Sequence, residues 1–374
     1  MNYRNARIYT ENFCFERGSF SVEHGRFSRV MGPESPDGVD LQGAKVIPGL
    51  IDIHTHGNSG ADFSDGDYEL LTIMARYLAA NGITSFAPAS LTLPYDALER
   101  AYRTAARFHG DKPEKCASLR GIHMEGPFFC EGRKGAQNAA YLRLPDHDAF
   151  RRLNESCGGL IRIVDLAPEL EGALEFIRKV SADCTVSIAH TDADYDRAKA
   201  AIHAGVTQLT HLFNAMPSVH HRKPGPVVAA AESERVSAEI VGDGYHVHPA
   251  VVRLAFRIFG AERMVLVSDA LRCCGCPDGA YDLGGQTAYL SGGVARLADG
   301  TIAGSATNLY ECMRRVISFG VRECDAIRAA THNPARQLGC LSEVGSITDG
   351  KCADFVVCRD DLTPVAVYMA GERV

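Results

Sequence analysis

The feature that most limits what this chain can become is an alternation. Eight short apolar runs with strand character, at residues 46–53, 85–89, 119–123, 161–166, 185–189, 208–212, 238–241 and 264–267, are separated by segments with helical periodicity. The clearest helical segments are 68–81, 95–108, 170–181, 194–204 and 249–259. Continuous apolar strands need cover on both faces, and a helix after each strand supplies it. The pattern therefore predicts an α/β fold of the TIM-like (β/α)8 barrel type.

The two ends read differently. Short extended segments at 6–10, 13–16, 18–23 and 27–30 are broken by Gly, Pro and Asn. β-type runs return at 353–358 and 366–369, with a turn at Ala370-Gly371. This predicts one small sheet domain built from residues 1–48 and 341–374, around a catalytic barrel at 49–340.

Composition narrows the partners. With 39 Lys and Arg against 46 Asp and Glu, the net charge is −7, and like charges do not cluster into runs. That balance argues against nucleic acid or an anionic membrane as the main partner, yet leaves room for a small anion held by a local Arg or Lys. The first ten residues lack the apolar core of a signal peptide, and apolar stretches fall short of the ~18 residues a membrane helix needs. The expected location is the cytoplasm, where the thirteen cysteines would stay as thiols. Cys273, Cys274 and Cys276 lie close together but lack the paired Cys-x-x-Cys spacing of structural zinc, and read as a loop feature.

In such barrels chemistry gathers at the carboxyl ends of the strands. The first strand runs into His54-Thr55-His56-Gly57, and two histidines at i and i+2 on a strand share a face. The third ends in His123-Met124-Glu125-Gly126-Pro127; a buried carboxylate there needs a cation beside it. His190 and His211 end the fifth and sixth strands. A single strand-end histidine is ordinarily a satisfied core or loop group, whereas two at one rim, on adjacent strands, point to a shared ligand. Asp269 ends the eighth strand and can bind metal, activate water or cap the next helix. Together His54, His56, Glu125, His190, His211 and Asp269 form a donor set for one or two divalent ions, with Zn²⁺ favoured and Fe²⁺ or Mn²⁺ equally compatible by ligand type.

These segments resemble those of the N-acetylglucosamine-6-phosphate deacetylases of the amidohydrolase superfamily. The resemblance spans nearly the whole chain. It rests on the run from Pro48 to Gly57, His123-Met124-Glu125-Gly126-Pro127-Phe128, and Thr210-His211-Leu212-Phe213-Asn214-Ala215-Met216. Asp243-Gly244-Tyr245-His246, Ser268-Asp269-Ala270, Ala303-Gly304-Ser305, Asn333-Pro334-Ala335 and the closing stretch from Gly345 to Asp354 continue it.

The resemblance implies a barrel plus a small β-sandwich made from both ends. It implies a first ion on Glu125, His190 and His211, and a second on His54 and His56 with Glu125 bridging. Asp269 would be the general base. Ala136, Gln137, Asn214, Ala215, Arg222, His246, Ile302 and Ala303 would bind a phosphorylated N-acetyl amino sugar, Arg222 at its phosphate. A homodimer, in which the neighbouring subunit completes the phosphate site, is also implied. The sequence departs from the family at Gln137, where relatives commonly carry His. Gln donates a hydrogen bond but cannot become cationic, so the sugar epimer, glucosamine or galactosamine, stays open. Dihydroorotase-like or acyl-amino-acid hydrolases share the scaffold, but commonly bridge their metals with a modified Lys where this chain has Glu125. A catalytically dead homologue would be expected to have lost ligands that this chain keeps.

Overall fold

The computed structural model describes residues 1–374. Its centre is a ring of parallel strands: β1 (Leu50–Thr55), β2 (Ile83–Pro88), β3 (Ile122–Phe128), β4 (Ile161–Leu166), β5 (Thr185–Ile188), β6 (Gln208–Leu209), β7 (Ser237–Val241) and β8 (Met264–Val267). β3 to β8 pair in sequence order, and β1 pairs with β2. The joints are short. Ala89 bridges His123 between β2 and β3, and Thr55 bridges Ala270 between β1 and the end of β8. There the backbone N–H of Asp269 donates to the carbonyl of His54 at 2.9 Å.

Helices α1 (Tyr68–Ala80), α2 (Tyr95–Asp111), α3 (His147–Ser156), α4 (Ala173–Val180), α5 (Tyr195–Ala204), α6 (Gly225–Ala231), α7 (Pro249–Phe259) and α8 (Leu309–Ser318) cover the ring. Side-chain caps start several of them: Asp67 accepts from Leu70 N, Asp146 from Ala149 N, Asp194 from Arg197 N and Asn308 from Glu311 N. α1 buries Leu71, Met74, Ala75, Leu78 and Ala79, the spacing of one helical face. None of the helices is long and apolar enough to cross a membrane.

The strands sort their side chains by parity. Ile122 and Met124, Val164 and Leu166, Ala238 and Ile240 join the main core with the helices. The residues between them, His123, Glu125, Asp165 and Glu239, are polar and buried on the other side of the ring. Ile51, Ile53, Ile163, Val265 and Val267 pack with Ala335, Leu338 and Val344 in a separate apolar cluster.

The run at 46–53, expected as one strand, is two. Lys45–Pro48 pairs with Phe355–Cys358 in the terminal sheet, and Leu50–Thr55 enters the barrel. Gly49 is the switch. Its N–H bonds to Asp354, and that of Leu50 to Gly82. A Cβ on Gly49 would lie 2.1 Å from Thr84 Oγ1, so only glycine lets the chain pass.

Both ends of the chain form one eight-stranded sheet, which runs from Glu372–Arg373 through Pro364–Met369, Phe355–Cys358, Lys45–Pro48, Asn2–Tyr9 and Phe15–Glu23 to Arg26–Ser28, with Val39–Asp40 beside Asn2–Tyr9. Tyr3, Phe20, Phe27 and Phe355 fill its own core, while Ile47, Val356 and Cys358 turn into the main core. The segments at 13–16 and 18–23 merge, because Gly18 stays in the ladder opposite Ala6.

A second departure is larger. Between β8 and α8 stands an antiparallel four-stranded sheet, Gly279–Leu283, Gln286–Ser291, Val294–Arg296 and Ile302–Ser305, where the sequence reading placed none. Its first two turns are the glycine pairs Gly284-Gly285 and Gly292-Gly293, all at positive φ, as tight hairpins require. Leu283, Ala288, Leu290 and Ala295 pack with Leu91 and Leu271, which seats the sheet over one side of the barrel mouth.

Candidate metal and active site

Six side chains from five strand ends converge. Glu125, His190 and His211 form one group, and His54, His56 and Asp269 another, with the ligand atoms of each group within 4.8 Å of one another. Glu125 belongs to both neighbourhoods. Its Oε1 lies 3.1 Å from His190 Nε2 and 3.3 Å from His211 Nε2, and its Oε2 lies 3.2 Å from His56 Nε2. Asp269 Oδ1 stands 3.3 Å from His56 Nε2 and 3.6 Å from His54 Nε2.

The donor set fits a cation, and hydrogen bonding says why. His190 Nδ1 donates to the carbonyl of Arg133 at 2.9 Å, His56 Nδ1 to that of Ala89 at 3.2 Å, and His54 Nδ1 to the Glu239 carboxylate at 2.9 Å. Each bond leaves the Nε2 lone pair aimed inward. His190 Nε2 and His211 Nε2 then face each other at 3.1 Å beside Glu125 Oε1. Two imidazole nitrogens and a carboxylate pointed at one spot repel unless positive charge sits among them.

The ionisation pattern agrees. Burial alone would raise the Glu125 carboxyl, but the charge of His56 and hydrogen bonds from His190 and His211 hold it well below the usual range. Asp269 is likewise held down to about 2, its burial outweighed by His56, His54 and His246. Burial would lower His211, yet Glu125 and Asp269 lift it to about 9, and His56 is lifted well above its ordinary value for the same kind of reason. Such a site keeps its carboxylates charged and draws in cations; a divalent ion competes for it by displacing protons from the imidazoles.

Backbone shape contributes too. His190, His211 and Asp269 have φ of 44°, 31° and 48°, and Phe213 and Ala215, just past β6, are also left-handed. Non-glycine residues in this region carry strain that the surrounding contacts must hold in place. At Asp269 the hold is explicit: its N–H bonds to His54 and its carbonyl accepts from Ser305 N at 2.8 Å.

The group opens into a small cleft of about 160 Å³, lined by a few convergent polar groups among apolar walls, the makeup of a small-molecule site. Of the expected substrate residues, Ala136, Gln137, Asn214, Ala215, His246, Ile302 and Ala303 line it. His246 is fixed by Asp243, which accepts from its Nδ1 at 2.7 Å. Burial would depress this imidazole, but the bond to Asp243 and its charge raise it.

Two of the expected residues sit in settings that the sequence does not specify. Gln137 does not stand free to meet a substrate carbonyl: its Oε1 accepts from Thr92 N at 2.8 Å, which turns its Nε2 onto Glu125 Oε2 at 2.7 Å. Arg222 lies outside the cleft. It sits on an exposed loop, with Nη1 2.7 Å from His221 Nε2, and lines a different depression with Arg133, Asp192 and Lys223. The sequence reading also missed Leu91, Leu283 and Thr301, which wall the cleft. Leu283 and Thr301 belong to the unexpected antiparallel region, and the paired glycines were the signal that would have revealed it.

A ring of parallel strands, with histidines and carboxylates grouped at its strand ends over a cleft, defines an enzyme of the barrel type with a site that fits divalent metal. The chain belongs to the amidohydrolase family, which it matches over residues 45–374, and within that family it falls among the N-acetylglucosamine-6-phosphate deacetylases. It is 35% identical to the N-acetylglucosamine-6-phosphate deacetylase of Bacillus subtilis strain 168, over 98% of this chain and 95% of the relative. It is also 35% identical to the N-acetylgalactosamine-6-phosphate deacetylase of Escherichia coli O157:H7, over 99% and 98%. Among solved structures, the N-acetyl-D-glucosamine-6-phosphate deacetylase of Mycobacterium smegmatis in complex with N-acetyl-D-glucosamine-6-phosphate superposes with a TM-score of 0.93 at 34% identity, covering 100% of this chain and 98% of that one.

Proposed function

We propose that this chain hydrolyses the N-acetyl group of N-acetylglucosamine 6-phosphate, giving glucosamine 6-phosphate and acetate. The observation that carries the reading is the convergence of Glu125, His190 and His211 beside Asp269 in a cleft, in a chain that resembles the deacetylases along its whole length. Glu125, His190 and His211 would hold one divalent ion, and His54, His56 and Asp269 a second. When bound, the metal supplies polarisation of the acetyl carbonyl and acidification of a water. We assign zinc from the imidazole and carboxylate donors, with iron and manganese as the outcomes a metal analysis would distinguish.

The protein's own groups do the rest. Asp269, held ionised, takes a proton from the attacking water at its carboxylate. The water oxygen bonds to the acetyl carbon, and Asp269 returns the proton to the amide nitrogen as the C–N bond breaks, so the sugar leaves as an amine. His246, oriented by Asp243, turns its Nε2 towards the substrate. Asn214, Ala215, Ala136, Gln137, Ile302 and Ala303 enclose the sugar and acetyl group.

Arg222 serves the phosphate from the neighbouring subunit of a homodimer; its exposure and its distance from the cleft of its own chain favour that arrangement. A planar guanidinium suits phosphate because it donates paired hydrogen bonds. We place the division between domains at 48/49 and 340/341, and the protein in the cytoplasm, where thirteen unpaired cysteines remain reduced.

One alternative has specific support. The engagement of Gln137 with Glu125 and the 35% identity to a galactosamine-type deacetylase favour testing the other epimer. Acetate release from N-acetylglucosamine 6-phosphate, N-acetylgalactosamine 6-phosphate and the unphosphorylated sugars, with metal content measured on the same preparation, decides between them. Absence of acetate release from every phosphorylated sugar by the metal-loaded protein would refute the proposal.

A further inference from the structure

Glu239 is a carboxylate in the middle of β7, flanked by Ala238 and Ile240, and it is fully buried. A buried carboxylate without a positive partner is costly. It forms no salt bridge with Lys or Arg; its ionic neighbours are His54, with Nδ1 2.9 Å away, and His123, with Nδ1 3.9 Å away. It is nevertheless well bonded. Oε1 accepts from Gln208 Nε2 at 2.7 Å, and Oε2 accepts from His54 Nδ1 at 2.9 Å and from the backbone N–H of His211 at 3.3 Å.

This is hydrogen bonding rather than a further ion site. His123 Nδ1 already donates to the carbonyl of Ile53 at 2.9 Å, and His54 and Glu239 stand at hydrogen-bond separation. Among the histidines of the two ion groups, His54 is set apart by the acceptor behind it. His190 and His56 lean on neutral carbonyls, whereas His54 leans on a charge. A carboxylate behind an imidazole fixes the Nδ1–H form, turns the Nε2 lone pair outward and makes it a stronger donor to metal. His54 Nε2 is indeed aimed at the shared cluster, 3.6 Å from both Glu125 Oε1 and Asp269 Oδ1.

We propose that Glu239 is a positioning residue that makes the His54–His56–Asp269 group a competent second ion position, and that through the His211 backbone it ties that position to the first. The inference rests on the two-ion reading given above. Its charge compensates the ion through the imidazole ring, which accounts for an acidic residue buried between Ala238 and Ile240.

The test is metal titration of the metal-depleted protein with Zn²⁺ against a competing chelator. Glu239→Gln suits it because it is nearly isosteric. Gln208 Oε1 has no partner, so the Gln208 amide can turn over to accept from the new side-chain N–H while His54 keeps an oxygen acceptor. The wild-type protein is expected to bind two ions. Glu239→Gln should keep the tighter one within about twofold and weaken the second roughly 10–100-fold, the range for loss of such a supporting carboxylate. Two ions at unchanged affinity in Glu239→Gln would overturn the inference. A single ion in the wild type would instead overturn the two-ion reading, and the inference with it. Should Glu239→Gln fail to fold, Glu239→Asp answers the question: it keeps the charge but draws it back from His54, so the second ion should weaken while the first holds, and equal retention of both would refute the role.

Discussion

Replacing Asp269 by Asn tests the proposed chemistry with little disturbance of the fold. The residue sits at φ 48°, a conformation that Asn tolerates better than almost any other non-glycine residue, so the turn at the end of β8 should survive. The bonds that lock this turn, to His54 and from Ser305, are made by the backbone and remain. What disappears is the basic carboxylate, whose Oδ1 lies beside His56 and whose Oδ2 lies 3.8 Å from His246 Nε2, and with it one donor of the second ion position. An amide cannot take the proton of water, and a positioned acid–base group contributes about 10²–10⁴ in rate, or about 3–5 kcal/mol of barrier. Asp269 serves both proton transfers in the proposed reaction, so the loss in kcat should lie at the upper end. Glu125, His190 and His211 keep their ion. Acetate release under saturating substrate, metal content and a thermal melt are measured on one preparation. A kcat within tenfold of wild type, with metal retained, would refute the assignment of Asp269 as base.

Gln137→Ala should destabilise the protein by about 1–3 kcal/mol, because Thr92 N and Glu125 Oε2 each lose a buried partner; denaturant unfolding would detect this, and an unchanged midpoint would contradict it. Arg222→Ala should raise KM for the phosphorylated sugar at least tenfold and leave an unphosphorylated analogue unaffected; equal effects on both would remove the phosphate role. Chelation should abolish activity and lower the melting temperature, with both restored by metal; binding at a hundred times Kd contributes about 2.7 kcal/mol. A fourth expectation concerns pH. Burial, together with Arg328, Arg336 and Lys351, depresses His332 to about 4. Its folded pKa lies below its unfolded value of about 6.5, so the stability it contributes is present above pH 6.5 and is lost as pH falls towards 4. After discounting for partial exposure this amounts to about 1–2 kcal/mol. His332→Gln should flatten the melting-temperature profile across that window, and an unaltered profile would contradict the assignment.

The barrel was legible because its strands read as short, largely apolar runs and its helices carry caps and stripes that local sequence reveals. Helix α7 falls at 249–259 in both readings, since Pro249 and Gly260 mark its ends. The donors were legible because His54, His56, Glu125, His190, His211 and Asp269 each lie near or just past the carboxyl end of a strand at one rim. Other features depend on distant partners. Nothing local separates Val46 to Pro48 from the strand that follows, because the division at Gly49 is set by Asp354 on one side and Gly82 on the other. The antiparallel sheet after β8 has short, partly exposed strands with weak alternation, so only its glycine turns betray it. Glu239, a lone acid between Ala238 and Ile240, is itself a signal, but its use depends on His54, distant in the chain. Gln137 had its place recognised but not its use, since that depends on Thr92, far away in the chain.

The passage of one continuous segment from the terminal sheet into β1 couples two regions that look remote on a map of the molecule. Lys45–Pro48 is clamped by Phe355–Cys358, and His54 lies only a few residues further along the same extended backbone. Anything that loosens the last strands, such as a fusion tag or a truncation at the carboxyl terminus, pulls on the lever that aims two of the histidines. Loss of metal from a protein altered only at its tail would therefore be a mechanical effect of that lever, not a sign that the tail itself touches the ion.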